Sequence, residues 1–136
     1  MRSIFFCVVM LVACEVRERP AVRYLSVTTR AAPTAFGYEL SVTTELEVIG
    51  RMPHVAPHVK VDAACGNQTD TENAFFMDLS DAQVGDRKVS TAKLFGMREL
   101  PDAPGQCEFT LSLTEGATGP ERFCYQNGAT TPGKCK

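Results

Sequence analysis

The chain has 136 residues, 44% of them hydrophobic and 22% charged, and a formal net charge of −2. That length suits one domain with its own core, and the composition excludes intrinsic disorder and collagen-like repeats. With an isoelectric point near 5.7 and no Lys/Arg cluster, the chain lacks the basis of nucleic-acid binding, which is counterion release around phosphates by basic side chains.

Met1-Arg2-Ser3 carries one positive side chain, and Ile4 to Ala13 follows without a charge. As a helix, a stretch of that length rises only about 15 Å, half of a hydrocarbon core of about 30 Å. It is too short to span a membrane but suits the apolar region of a signal peptide. The alternative is an N-terminal core strand or helix.

The stretch ends in Leu11-Val12-Ala13-Cys14. This resembles the lipobox of bacterial lipoproteins, in which a small residue precedes a cysteine directly after the apolar region. The resemblance implies that Cys14 receives a diacylglycerol thioether, that the peptide is cut before it, and that the new amine is acylated. Thiolate chemistry is what makes cysteine the residue alkylated there. It implies a membrane partner through the lipid, since two or three acyl chains hold stably where one holds marginally. In that family Asp directly after the cysteine retains the protein at the inner membrane. Glu15 stands here, so the outer membrane is the expected address.

On this reading residues 1–13 are a signal peptide, 14–20 the lipidated cysteine and a tether, and 21–136 the domain. Glu15 to Pro20 is charged and proline-ended, as a tether should be, and reaches roughly 20 Å when extended. Of six cysteines, Cys7 leaves with the signal peptide and Cys14 takes the lipid. Cys65, Cys107, Cys124 and Cys135 remain. An even remainder in an exported protein reads as two disulfides, with three possible pairings. Their spacings of 42, 17 and 11 residues do not make the close ligand pairs of a zinc site.

The domain reads as strands. Val22 to Thr29 is rich in β-branched residues. Tyr38 to Ile49 alternates cleanly, with Tyr38, Leu40, Val42, Leu46 and Val48 on one face and Glu39, Ser41, Thr43, Glu45 and Glu47 on the other. Val59, Val61, Ala63 and Cys65 alternate with His58, Lys60 and Asp62. Phe75, Met77 and Leu79 suggest a shorter strand, and Lys88 to Phe95 a β-prone one with weaker alternation. Cys107, Phe109, Leu111 and Leu113 alternate with Glu108, Thr110 and Ser112, and Phe123 with Tyr125 closes the series. Turn chemistry marks the connectors Ala31-Ala32-Pro33, Gly50 to Pro57, Gly66-Asn67, Val84-Gly85-Asp86, Pro101 to Gly105, Gly116 to Pro120 and Asn127-Gly128. Asp78 to Val84 has room for one helical turn.

Seven short strands, each with one apolar and one polar face, predict an all-β, antiparallel two-sheet sandwich. Leu79 and Val84-Gly85, with the strand after them, resemble the corner that precedes a late strand in immunoglobulin-like and fibronectin type III-like sandwiches. The chain has no Trp, so the buried tryptophan of antibody domains is missing. In such a sandwich the third and sixth strands run antiparallel as neighbours. That resemblance favours Cys65 with Cys107, leaving Cys124 with Cys135 to close a C-terminal loop.

Candidate chemistry is sparse. His54 and His58 lie four apart, but Pro53 and Pro57 forbid a helix that would align them. No nucleophile elbow, phosphate loop or dinucleotide fingerprint occurs, so no cofactor is expected. Asp70, Glu72 and Asp78 allow a calcium site, with turn-forming Asp the plainer account. Asn67-Gln68-Thr69 matches a glycosylation sequon, which has little meaning in a bacterial envelope. Glu39, Glu45 and Glu47 form either a wetted strand face or an acidic docking face. The expectation is a non-enzymatic envelope module with a protein partner. The alternatives are a small-ligand or metal-binding protein and a small hydrolase built from His54, His58 and Asp102.

Overall fold

A computed structural model of the chain describes residues 21–51, 58–76, 79–113 and 118–136. Cys14 with the leader and tether, His54, Met77 and Asp78 lie outside them. Eight strands form among the described residues: β1 (Val22–Pro33), β2 (Tyr38–Val48), β3 (His58–Cys65), β4 (Gln68–Phe75), β5 (Arg87–Leu94), β6 (Gln106–Leu113), β7 (Thr118–Gln126) and β8 (Ala129–Pro132). They pair antiparallel into two sheets, ordered β1-β2-β5 and β4-β3-β6-β7-β8. The sandwich expected from the patterning is there, with eight strands rather than seven.

The strongest alternation makes the core. In β2 the side chains of Leu40, Val42, Leu46 and Val48 are fully buried, and they face Val59 and Val61 of β3 and Phe109 and Leu111 of β6. Burying each such side chain contributes about 1.5–3 kcal/mol, so this two-sided stripe dominates the stability of the domain. Cys65 and Cys107 continue the inward rows of β3 and β6, one step beyond the Ala64–Glu108 pair. Their Cα atoms are 4.3 Å apart, close to the spacing of two residues directly opposite in an antiparallel ladder. The bridge therefore lies within one sheet, whereas the antibody-domain bridge joins two.

Three expected elements differ. Of the run Phe75, Met77, Leu79, the described residues differ from a short strand of their own: Phe75 ends β4, with its ring pointing outward, and Leu79 is buried in a single 3-10 turn (Leu79–Asp81). Ala31-Ala32-Pro33 is not a connector but the end of β1, an edge strand, where a proline leaves no ladder bond unmade. The last apolar pair belongs to a longer β7, and β8 follows after the Asn127-Gly128 turn. Val84-Gly85 makes a turn before β5, with the Gly85 N–H donating to the Val48 carbonyl and the Val48 N–H to that of Asp86.

Along one side of the sandwich β4 lies beside β5, and along the other β8 lies beside β1. Inward-facing Asp70 and Glu72 on edge strand β4, and Arg87, Lys88 and Lys93 on edge strand β5, discourage pairing with a foreign strand. The strand directions sort the loops. The turn at 34–37, the Gly66-Asn67 turn, the 95–105 loop and the Asn127-Gly128 turn gather at one end. The start of β1 lies at the other.

Candidate functional site

The loop-bearing end is braced by backbone. Tyr38 and Leu100 exchange two hydrogen bonds, of 2.8 and 2.9 Å, which tie the 34–37 turn to the 95–105 loop. Gly37 is required at this joint, because a Cβ there would sit 2.2 Å from the Leu100 carbonyl oxygen. At the start of the loop Phe95 takes a left-handed conformation, φ 61°, with its ring buried. That backbone is unfavourable for a bulky residue. It is held by Asp70 of β4, whose Oδ2 accepts the Phe95 N–H at 2.7 Å.

Bracing of this kind holds two large apolar side chains in solvent. Phe36 is 89% exposed at the first turn and Met97 is 99% exposed on the loop, with Arg98 beside it also exposed. Beneath the loop, residues 64–68 and 100–108 line an open cleft of ≈ 640 Å³. Its polar groups include Asn67, Gln68, Asp102 and Glu108, and Leu100 and Pro101 add apolar wall. A smaller hollow, of ≈ 390 Å³, on the outer face of the second sheet continues from Ala64 and Glu108 to Asp62 and Arg122.

The structure disperses the residues expected to carry chemistry. His58 opens β3, its ring 5.1 Å from that of Phe75 in a tilted stack, whereas Asp102 lines the cleft at the far end of that strand. An eight-residue strand is about 25 Å long, so the two cannot act on one atom. The hydrolase constellation is thus not brought together in the described residues, and His54 lies outside them. Asp70 is committed to Phe95 and to the Thr71 N–H, and among the described residues no three His, Cys, Asp or Glu side chains gather as metal ligands.

Glu39, Glu45 and Glu47 do share the outer face of β2, but the neighbouring strands set Arg23, Arg30, Arg87 and Lys93 on that face, opposite Glu47 and Ser41. Arg23 of β1 pairs with Glu47, Ser26 donates to Glu45 at 3.5 Å, and Arg87 of β5 stands in register with Glu47. This face is charge-balanced, so it is not an acidic docking face. The four sulfurs are paired Cys65–Cys107 and Cys124–Cys135.

One titratable group is strongly perturbed. Burial pushes the Tyr24 phenol well above its ordinary range, and the Glu121 carboxylate adds to the shift. The Tyr24 ring packs edge-on against Phe123 at 6.2 Å and its hydroxyl has no partner. It is partly buried and packed against the core, and it is not among the residues that line the cleft. Sequence reasoning missed Phe36 and Met97. The signal available was a large apolar residue inside a turn, in Ala35-Phe36-Gly37 and Gly96-Met97-Arg98. No known protein family, characterised protein or solved structure matches the chain.

Proposed function

We propose that the chain is an envelope lipoprotein held in the membrane through Cys14, outer membrane before inner, whose sandwich serves as a non-enzymatic protein-binding module acting through the braced loop end. The observation that carries the binding reading is the exposure of Phe36 and Met97 on ordered loops. An apolar side chain held in water gains nothing for folding, whereas aromatic, Met and Arg side chains are enriched in the buried centres of protein interfaces. Because the loop end is opposite the start of β1, an anchor at Cys14 leaves it facing away from the membrane. With the sandwich upright on its tether, the twelve residues of β1 would set the loop end about 40 Å from the start of that strand.

Two measurements test this. The intact mass of membrane-extracted protein, before and after reduction, should correspond to a chain beginning at Cys14 with an acyl load and two reducible bridges. A water-soluble product that still begins at Met1 removes the anchor. Photo-crosslinking in intact cells from position 97 should trap a discrete protein adduct, lost in a Phe36→Ser variant whose stability is within about 0.5 kcal/mol of wild type. Equal crosslinking from Thr91, on the charge-balanced face, removes the binding reading. The cleft supports a second reading as a small-ligand site, since its volume falls within the range of about 300–1,000 Å³ common to ligand pockets. Native mass spectrometry of protein taken gently from its own membranes distinguishes that case by a co-purifying small mass.

A further inference from the structure

The geometry points to a redox-sensitive latch in which reduction of Cys124–Cys135 frees the C-terminal segment and unseats β8, opening one side of the sandwich while the rest stays folded. The inference is independent of the lipid at Cys14 and of the Phe36–Met97 surface.

The two disulfides occupy different surroundings. Cys65 and Cys107 sit on the inward rows of β3 and β6, 6% and 1% exposed, with both strands paired on both sides. Cys124 is also buried, but its partner Cys135 is only half-buried and lies outside every strand. The chain reaches Cys135 by turning at Gly133, where φ is +102°, a conformation open to glycine. The Gly133 N–H then donates to the Arg122 carbonyl at 2.8 Å and the Cys135 N–H to Glu108 Oε1 at 3.1 Å. A short segment on the outer face is thus pinned by two hydrogen bonds and one covalent bridge.

That bridge also governs β8. The strand has four residues and pairs only with Phe123–Gln126, so its own ladder is marginal. Yet it closes the side of the core over Phe123 and Tyr125, whose rings face inward. It also links the two sheets where the Thr130 hydroxyl donates to Thr29 Oγ1 at 2.9 Å. Cut the bridge and β8 is held by one tight turn and a few ladder bonds. The edge of β7 and the margins of two aromatic rings then become accessible.

The chemistry requires a dithiol reductant. Its thiolate attacks the sulfur of Cys135, the less buried residue of the pair, the S–S bond breaks, and Cys124 leaves as a thiolate that takes up a proton. The second thiol of the reductant attacks the mixed disulfide and expels Cys135 as a thiol. The protein gains two hydrogens, and the reductant ends as its own disulfide.

The test is titration of the purified full-length protein with dithiothreitol under native conditions. Free thiols are trapped by alkylation and mapped by peptide mass, with backbone amide exchange followed in parallel. Cys124 and Cys135 should be alkylated at reductant concentrations about tenfold below those needed for Cys65 and Cys107. Amides from 129 to 135 should then exchange about tenfold faster while those of β2 and β3 are unchanged. A Cys124→Ser/Cys135→Ser variant should show the same accelerated exchange without reductant. Simultaneous or reversed alkylation overturns the inference. So does unchanged exchange of β8 in both opened forms, and so does acceleration across the whole domain, which would make the bridge a global staple.

Discussion

Replacing Asp70 by Ala should loosen the loop that carries Met97 and destabilise the whole domain. Asp70 lies on edge strand β4 but faces inward, and its Oδ2 accepts the N–H of Phe95 at 2.7 Å. Phe95 needs that support. Its left-handed backbone costs about 1–2 kcal/mol for a residue with a Cβ. Burial of its ring, worth about 1.5–3 kcal/mol, offsets this only if the loop stays in place. A hydrogen bond to a charged acceptor contributes about 1.5–3 kcal/mol, so Asp70→Ala should cost about 2 kcal/mol. For a domain of this size that lowers Tm by about 8 °C, at about 4 °C per kcal/mol. Asp70→Asn keeps an oxygen acceptor without the charge and should lose about half as much.

The assay is urea unfolding of wild type and both variants, with amide exchange at 95–100 as a local readout. The midpoint should fall with the slope unchanged, since the surface exposed on unfolding is the same. Exchange at Phe95 itself should accelerate most. An Asp70→Ala variant within about 0.5 kcal/mol of wild type would mean that the bond to Phe95 does not hold the loop.

Three further substitutions probe other joints. Gly37→Ala places a Cβ against the Leu100 carbonyl and should cost about 2–3 kcal/mol, with faster amide exchange at Tyr38 and Leu100; a neutral result would show that the turn and loop are not locked. Thr44 is fully buried with no hydroxyl partner, so Thr44→Val should stabilise by about 1 kcal/mol in thermal unfolding, and a loss of stability would reveal a bond to that hydroxyl. Tyr24→Phe likewise removes a partnerless hydroxyl, and it also changes the alkaline limit. The folded phenol pKa is raised above its ordinary value of 10.0, so above that pH the unfolded chain ionises while the folded one keeps its proton. Stability should therefore be full below about pH 10 and fall as pH rises toward the folded value. The Phe variant should lose less over that window, and matching profiles would remove Tyr24 as the cause.

What was legible in the sequence follows from which strands bury one whole face. β2 and β6 each set a continuous apolar row against the opposite sheet, so their period-two pattern states both their conformation and their orientation. β4 has no such row. Gln68-Thr69-Asp70-Thr71-Glu72-Asn73 places polar residues on both faces, and the segment is a strand because the Gly66-Asn67 turn folds it onto β3 residue by residue. Its inward Asp70 is bound to a loop amide that no sequence pattern reveals. β8 escaped for a related reason: its turn was readable, but four residues with one partner carry no periodicity. The cysteine count left three pairings open, and the pairing found is the one favoured by the strand order that the resemblance to immunoglobulin-like sandwiches implies. The cleft was not legible, since its wall is the 95–105 loop, whose path is set by the Phe95 backbone and the Tyr38–Leu100 bonds.

These same elements argue for where the domain meets its surroundings. On the outer face of the first sheet, Arg23 and Arg87 flank Glu47, and the Thr43 and Thr91 hydroxyls bond each other at 2.9 Å, so its central polar groups are mutually satisfied. The β4–β5 side is guarded by inward carboxylates and edge cations. At the loop end the balance is reversed: a left-handed phenylalanine, a glycine packed against a carbonyl and a carboxylate bound to an amide hold in place a turn and a loop whose Phe36 and Met97 side chains stand in solvent. Local strain held in place by neighbouring structure collects where a protein binds, because a flexible loop would lose in ordering entropy what its side chains gain on contact. A rigid loop has already lost that entropy in folding. On the proposed reading the loop end is where a partner would gain most, and loosening it through Asp70 or Gly37 should then weaken binding even with Phe36 and Met97 intact.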